Sequence, residues 1–171
     1  MNGAGITGIF RPGMRAYFIP LVAGVVLAAS AFLPWIIISD ISMAGTADFP
    51  GAPGLWVAGL GASAALLAFL SLITRRNSRH PLLLVGLVSL GIMFLSWRIL
   101  PRTTGEHALT VSQAFAIVEN TPIAAAPDVA AGSGIYLGLL ASCAIVGFGL
   151  TIVVRRVGTS YPVVSPDDDV D

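Results

Sequence analysis

Residues 30–40 read SAFLPWIIISD. An apolar run meets a proline and a tryptophan, passes three isoleucines and stops at an aspartate. Three readings compete for it: the tail of a secretion signal, a segment of a soluble core, or the exit of a membrane helix. Upstream, the uncharged stretch begins at Ala16 and continues to Ile38. Arg11 and Arg15 precede it, and AASA at 28–31 has the small residues of a cleavage site. The apolar region of a signal peptide is only about 7–15 residues long, however. The stretch outruns that length, so the sequence predicts an uncleaved helix over about 16–38 that leaves the membrane at PWIIISD.

Composition supports the membrane reading. The chain has 171 residues, 56% hydrophobic and 11% charged. A soluble domain carries about 25% charged residues, enough to cover its core with polar surface. Hydrocarbon removes that requirement. Three further runs contain no Asp, Glu, Lys, Arg or His: 55–73, 134–154, and a third over 81–97. Ile99 and Leu100 extend the third to 100 if the Arg98 side chain reaches back to the interface. A spanning helix needs about 17–25 apolar residues, and lipid offers its backbone no hydrogen-bond partners. Strict alternation of apolar and polar residues, the mark of a membrane β-barrel, is missing. The expected architecture is therefore an all-α, integral membrane four-helix bundle. One transmembrane domain over 1–156 has spans at about 16–38, 55–73, 81–100 and 134–154.

All nine basic residues are arginine, balanced by nine acids. Zero net charge gives no field for nucleic acid, so none is expected as a partner. With four crossings, Arg11, Arg15, Arg75, Arg76, Arg79, Arg155 and Arg156 fall on one side. Arg98 and Arg102 fall on the other. The positive-inside rule then puts the N-terminus, the 74–80 turn and the C-terminus in the cytoplasm. Trp35, Trp56, Trp97 and Tyr136 come to the opposite, outer margin and are expected to anchor there at headgroup level. Pro34 is expected to kink the last turns of helix 1.

The first outer loop, SDISMAGTADFPGAPG, is punctuated by glycine and proline and reads as a compact turn-rich connection. In the second, Thr110 and Gln113 have capping-box spacing. Val111, Ala114, Phe115 and Val118 share a helical face. The spacing predicts a short helix over about 111–119 lying on the outside of the bundle. Residues 157–171 lack apolar periodicity and read as a disordered acidic tail.

The sequence offers little chemistry. No zinc, nucleotide-binding or nucleophile-elbow motif appears. No catalytic, metal-binding or cofactor-binding residue is assigned, and no cofactor is expected. Glu106 and His107 are the nearest approach to an acid–base pair, and as loop neighbours they read as solvated. Cys143, the single cysteine, sits in an apolar run and reads as a small buried apolar residue. The apolar runs hold no Asp, Glu, Lys, Arg or His to carry a proton or ion, which argues against a self-contained coupled transporter. They do hold small residues every four positions: Gly134, Gly138 and Ser142 on helix 4, and Gly59 and Ser63, with Gly61 and Ala65, on helix 2. Such rows let helix backbones approach closely, and van der Waals contact drives association in lipid.

The order of elements resembles that of small four-helix bacterial membrane proteins such as the tryptophan-region-associated membrane proteins of actinobacteria. A first helix ends in LPW, a short outer loop follows, and a basic turn joins helices 2 and 3. A long outer loop then leads to helix 4 and an arginine pair. The resemblance covers about residues 15–156 and implies a multi-pass protein of a bacterial inner membrane, with no catalytic residues to transfer. GLW at 54–56 is also similar to a motif of claudin-like proteins, but the paired loop cysteines are missing and the first outer loop is too short. The expected role is non-enzymatic: a structural or accessory subunit that packs against other membrane helices or against itself, in the lipid bilayer. The alternative is a small channel or transporter component for a neutral solute.

Overall fold

A computed structural model of the chain describes residues 16–39, 41–47, 49–74, 78–122 and 127–157, with side chains through 151. Arg11, Arg15, Asp40, Asp48, Arg75, Arg76, the side chains of Arg155 and Arg156, and the tail beyond Val157 lie outside the described residues. In chain order the elements are α1 (Phe18–Ser30), β1 (Pro34–Ile38), β2 (Ile41–Ala44), α2 (Pro53–Thr74), α3 (Arg79–Glu119), β3 (Val129–Ala131) and α4 (Ser133–Val157). The fold is mostly helical, but a three-stranded sheet corrects the all-α expectation.

Among the described residues, three helices are long and apolar enough to cross a membrane: α2, α3 and the Ser133–Thr151 part of α4. Helix α1 is not among them. The 16–38 run is not one helix, because it breaks after Ser30 and resumes as a strand. The cause lies in the residues quoted at the outset. Pro34 has no N–H to continue a helix, and its ring pushes Leu33 out of the helical region. The β-branched Ile36, Ile37 and Ile38 then favour an extended chain. Pro34 thus ends the helical run rather than kinking it.

A helix end leaves carbonyls unsatisfied, which is costly in an apolar setting. Here tertiary donors supply the bonds. The Trp35 indole Nε1 donates to the Ser30 carbonyl at 2.8 Å. The Thr46 and Gly45 amides donate to the carbonyls of Ala31 and Leu33 at 3.0 and 3.3 Å.

Strand β1 is central in the order β2-β1-β3, antiparallel to both neighbours. Ile38 pairs with Ile41 across a two-residue turn, and Ser39 takes the positive φ (52°) that such turns require. Pro34 occupies the first position of the strand, where a missing donor is tolerated, and a register shift follows it. Ile36, Ile37 and Ile38 pair with Ala131, Ala130 and Val129, so the sheet joins the chain after α1 to the segment before α4.

Helix α1 packs against α2 and α4, α3 packs against α4, and α2 closes on α3. The core runs from Tyr17 and Phe148 at the end where α1 begins to Trp35, Ile36 and Ile135 beneath the sheet.

The predicted short helix at 111–119 is no separate element. It is the end of the 41-residue α3, which continues through Pro101. At 1.5 Å per residue, 79–100 spans ~33 Å and 101–119 adds ~28 Å. Thr103 Oγ1 reinforces the turn around the proline, donating to the carbonyls of Ile99 and Leu100 at 3.1 and 3.2 Å. Thr110 donates to the Glu106 carbonyl within the helix and forms no cap. Asn120, in the left-handed region (φ 50°), terminates α3 in the manner of a helix-ending residue.

Candidate functional site

Among the described residues, no group of three His, Cys, Asp or Glu side chains that could hold a metal ion comes together. Glu106 and His107 lie on α3, not in a loop, and both are exposed. Glu106 Oε1 accepts from Arg102 Nε at 3.0 Å, an exposed i,i+4 pair worth about 0.3–0.5 kcal/mol. His107 instead borders an apolar recess with Met43, Phe49 and Leu100.

Inside the bundle the polar side chains are serines. Ser30, Ser71 and Ser89 each donate to a carbonyl of their own helix, at 2.7, 2.8 and 2.7 Å. Ser142 Oγ is buried with no hydrogen-bond partner. What these positions share is small size, which is what close helix approach requires.

The closest seam joins α1 to α2. A Cβ on Gly24 would stand 2.6 Å from the Ala65 amide nitrogen and 2.9 Å from the Gly61 carbonyl. A Cβ on Gly61 would press on the Ala28 backbone. Backbone cannot rotate away, so both positions exclude any side chain. Gly24 is not among the packing residues expected from sequence. The signal for it was present: Gly24 and Ala28, like Gly61 and Ala65, are small residues four apart.

The helix 4 row faces inward. Gly134 lies against Trp35 and the Ser30 carbonyl, Gly138 against Met93 and Ser30 Oγ, and Ser142 is fully buried. Gly59 and Ser63 do not share that role. Both are exposed, and a Cβ on Gly59 would meet nothing within 4 Å. The inward row on α2 is Gly54, Val57, Gly61, Ala64, Ala68 and Ser71. Gly59 and Ser63 instead floor an open groove flanked by Leu55, Trp56 and Leu60.

The four expected anchors also divide. Trp56, Trp97 and Tyr136 are 66%, 37% and 51% exposed, available to an apolar or interfacial surround. Trp35 is fully buried. Its ring packs on Gly45 and Gly134, and its N–H is used inside the protein. It is a core residue joining α1, the sheet and α4. No protein-family model matches this chain, and comparison with curated proteins and with solved structures returns no match.

Proposed function

We propose that this chain is a non-enzymatic, multi-pass protein of a cell membrane that serves as a structural or accessory subunit, docking on other membrane subunits or on copies of itself. One observation carries the proposal: α3 projects ~28 Å beyond residue 100 with an apolar face left open. Val111, Phe115 and Val118 share that face, and Phe115 and Val118 are 61% and 82% exposed. The expectation from sequence had this stripe resting on the bundle. On that half Ala116 is buried and Pro101, Thr104, Gly105, Ala108, Leu109 and Ser112 are partly buried, with Gly105 facing Val129 of β3. A rigid helix with one side on its own sheet and an apolar side outward suits a docking arm.

Ser30, Ser71 and Ser89 also favour packing over a solute path, because their hydroxyls are spent on carbonyls of their own helices. In this reading α1 and β1 together make the fourth crossing, with the β1 backbone satisfied by β2 and β3. The arginine distribution then puts both termini in the cytoplasm.

Photocrosslinking in cells tests the docking arm. A photoreactive residue at position 115 is expected to give a discrete adduct, and one at exposed position 102 is not. Phe115→Glu, on an exposed site, should leave the fold intact and shrink the native assembly. Absence of an adduct at 115, together with an unchanged assembly mass in Phe115→Glu, refutes the proposal.

A further inference from the structure

The end of the bundle opposite the sheet carries a second feature. The starts of α1 and α3 and the Gly147–Thr151 part of α4 line an open apolar cleft of about 580 Å³. Arg79, the first residue of α3, lines it together with Ile19, Gly147, Phe148 and Thr151. The guanidinium carbon stands 5.5 Å from the Phe148 ring centroid, over the ring face. Tyr17 meets Phe148 edge-on at 5.0 Å and fixes the ring. The positive end of the α3 dipole adds to the guanidinium charge.

Ile19 also belongs to a second, wholly apolar groove along the α1–α4 seam, with Val22 and Val26 on one wall and Leu140 and Ala144 on the other. From Thr151 back to Leu140 is eleven residues of α4, ~16 Å along the helix. That is about half of the ~30 Å hydrocarbon thickness, the share of one leaflet. A cation at the head of a leaflet-deep apolar trough matches one molecule in shape and charge.

We propose that this cleft binds a single anionic glycerophospholipid, its phosphate at Arg79 and one acyl chain along the α1–α4 seam. The proposal rests on the membrane reading above. Arg suits the phosphate because its planar guanidinium can donate two parallel bonds to phosphate oxygens. Basic pockets between membrane helices recognise anionic headgroups by this chemistry. The trough selects a lipid over a free anion, because inorganic phosphate leaves it empty.

The test uses the full chain in mild detergent with equimolar phosphatidylglycerol and phosphatidylcholine of identical chains, read by native mass spectrometry. The wild type should retain one phosphatidylglycerol, about tenfold over phosphatidylcholine. Arg79→Gln should abolish the preference. Gly147→Leu keeps the guanidinium but fills the cleft, and it should fold normally because a Cβ there meets only open space. It should lose bound lipid of either kind. Melting in phosphatidylcholine alone should match wild type for Gly147→Leu, whereas Arg79→Gln loses the guanidinium contact with Phe148 and should melt lower while keeping its helical content. Equal retention of the two lipids by wild type, or a preference unchanged in both variants, overturns the proposal. So does displacement of the lipid by millimolar inorganic phosphate, which would assign the site to a free anion. A dimer with the cleft covered and no lipid bound would assign the groove to a second copy and overturn it equally. Carbonate extraction separates the two levels of argument. Wild type that stays with the membrane pellet but shows no lipid preference sinks this inference alone, whereas wild type released to the supernatant sinks the membrane reading and this inference with it.

Discussion

Replacing Trp35 tests the outer architecture most directly. Its ring is fully buried and in contact with Gly45 and Gly134, and its indole N–H holds the last carbonyl of α1 at 2.8 Å. Trp35→Ala removes the largest fully buried side chain. Neighbouring glycines offer no side chain to fill the void, so a cost of about 3–5 kcal/mol is expected. Trp35→Phe keeps an aromatic ring and loses one hydrogen bond, about 0.5–1.5 kcal/mol, plus the contacts of the missing ring. The Ser30 carbonyl retains the Leu33 amide at 3.3 Å, which limits the loss, and a total of roughly 1–3 kcal/mol follows. Trp56→Ala, at an exposed position, should change stability by no more than about 0.5 kcal/mol. Equilibrium unfolding in mixed micelles, followed by helical circular dichroism, measures all three. Brominated lipids supply a second readout: a variant retaining only Trp56 should be quenched more strongly than one retaining only Trp35. If Trp35→Ala costs no more than Trp56→Ala, or if Trp35 is the more strongly quenched, Trp35 is a membrane-margin ring and the buried sheet is wrong.

Two residues of α2 should respond oppositely to the same change. Gly61→Ala gains about 0.5–1 kcal/mol of helix propensity but drives a methyl into the Ala28 backbone, so a net loss is expected, the overpacking term being about 1–3 kcal/mol. Gly59→Ala takes the same gain with nothing to collide with and should raise the unfolding midpoint. Cys143 sits on the exposed side of α4, facing lipid in the proposed arrangement. It should resist a membrane-impermeant maleimide in intact vesicles and react after solubilisation in denaturing detergent, and prompt labelling in intact vesicles would show water at that depth.

How much could be read in advance depended on which physical quantity each residue reported. The lack of charge in 55–73, 81–97 and 134–154 reports the surrounding solvent, and those runs became the helices fit to cross a membrane. Small-residue spacing reports close approach, and Gly134, Gly138 and Ser142 are buried as a row. On α2 the spacing alone could not choose a face. Gly59–Ser63 and Gly61–Ala65 are both four apart, and only the position of α1 makes Gly61 the contact.

The sequence by itself determined three runs apolar enough to cross a membrane, because apolarity depends on residues near one another in the chain. Tertiary structure decided that SAFLPWIIISD leaves the helix and becomes the centre of a sheet. Apolarity records burial and is the same for a buried helix and a buried strand. The strand needed partners at 41–44 and 129–131, the second some ninety residues away. The same holds for Trp35, whose ring suits a membrane margin or a core equally well until a carbonyl and two glycines are brought to it by the fold.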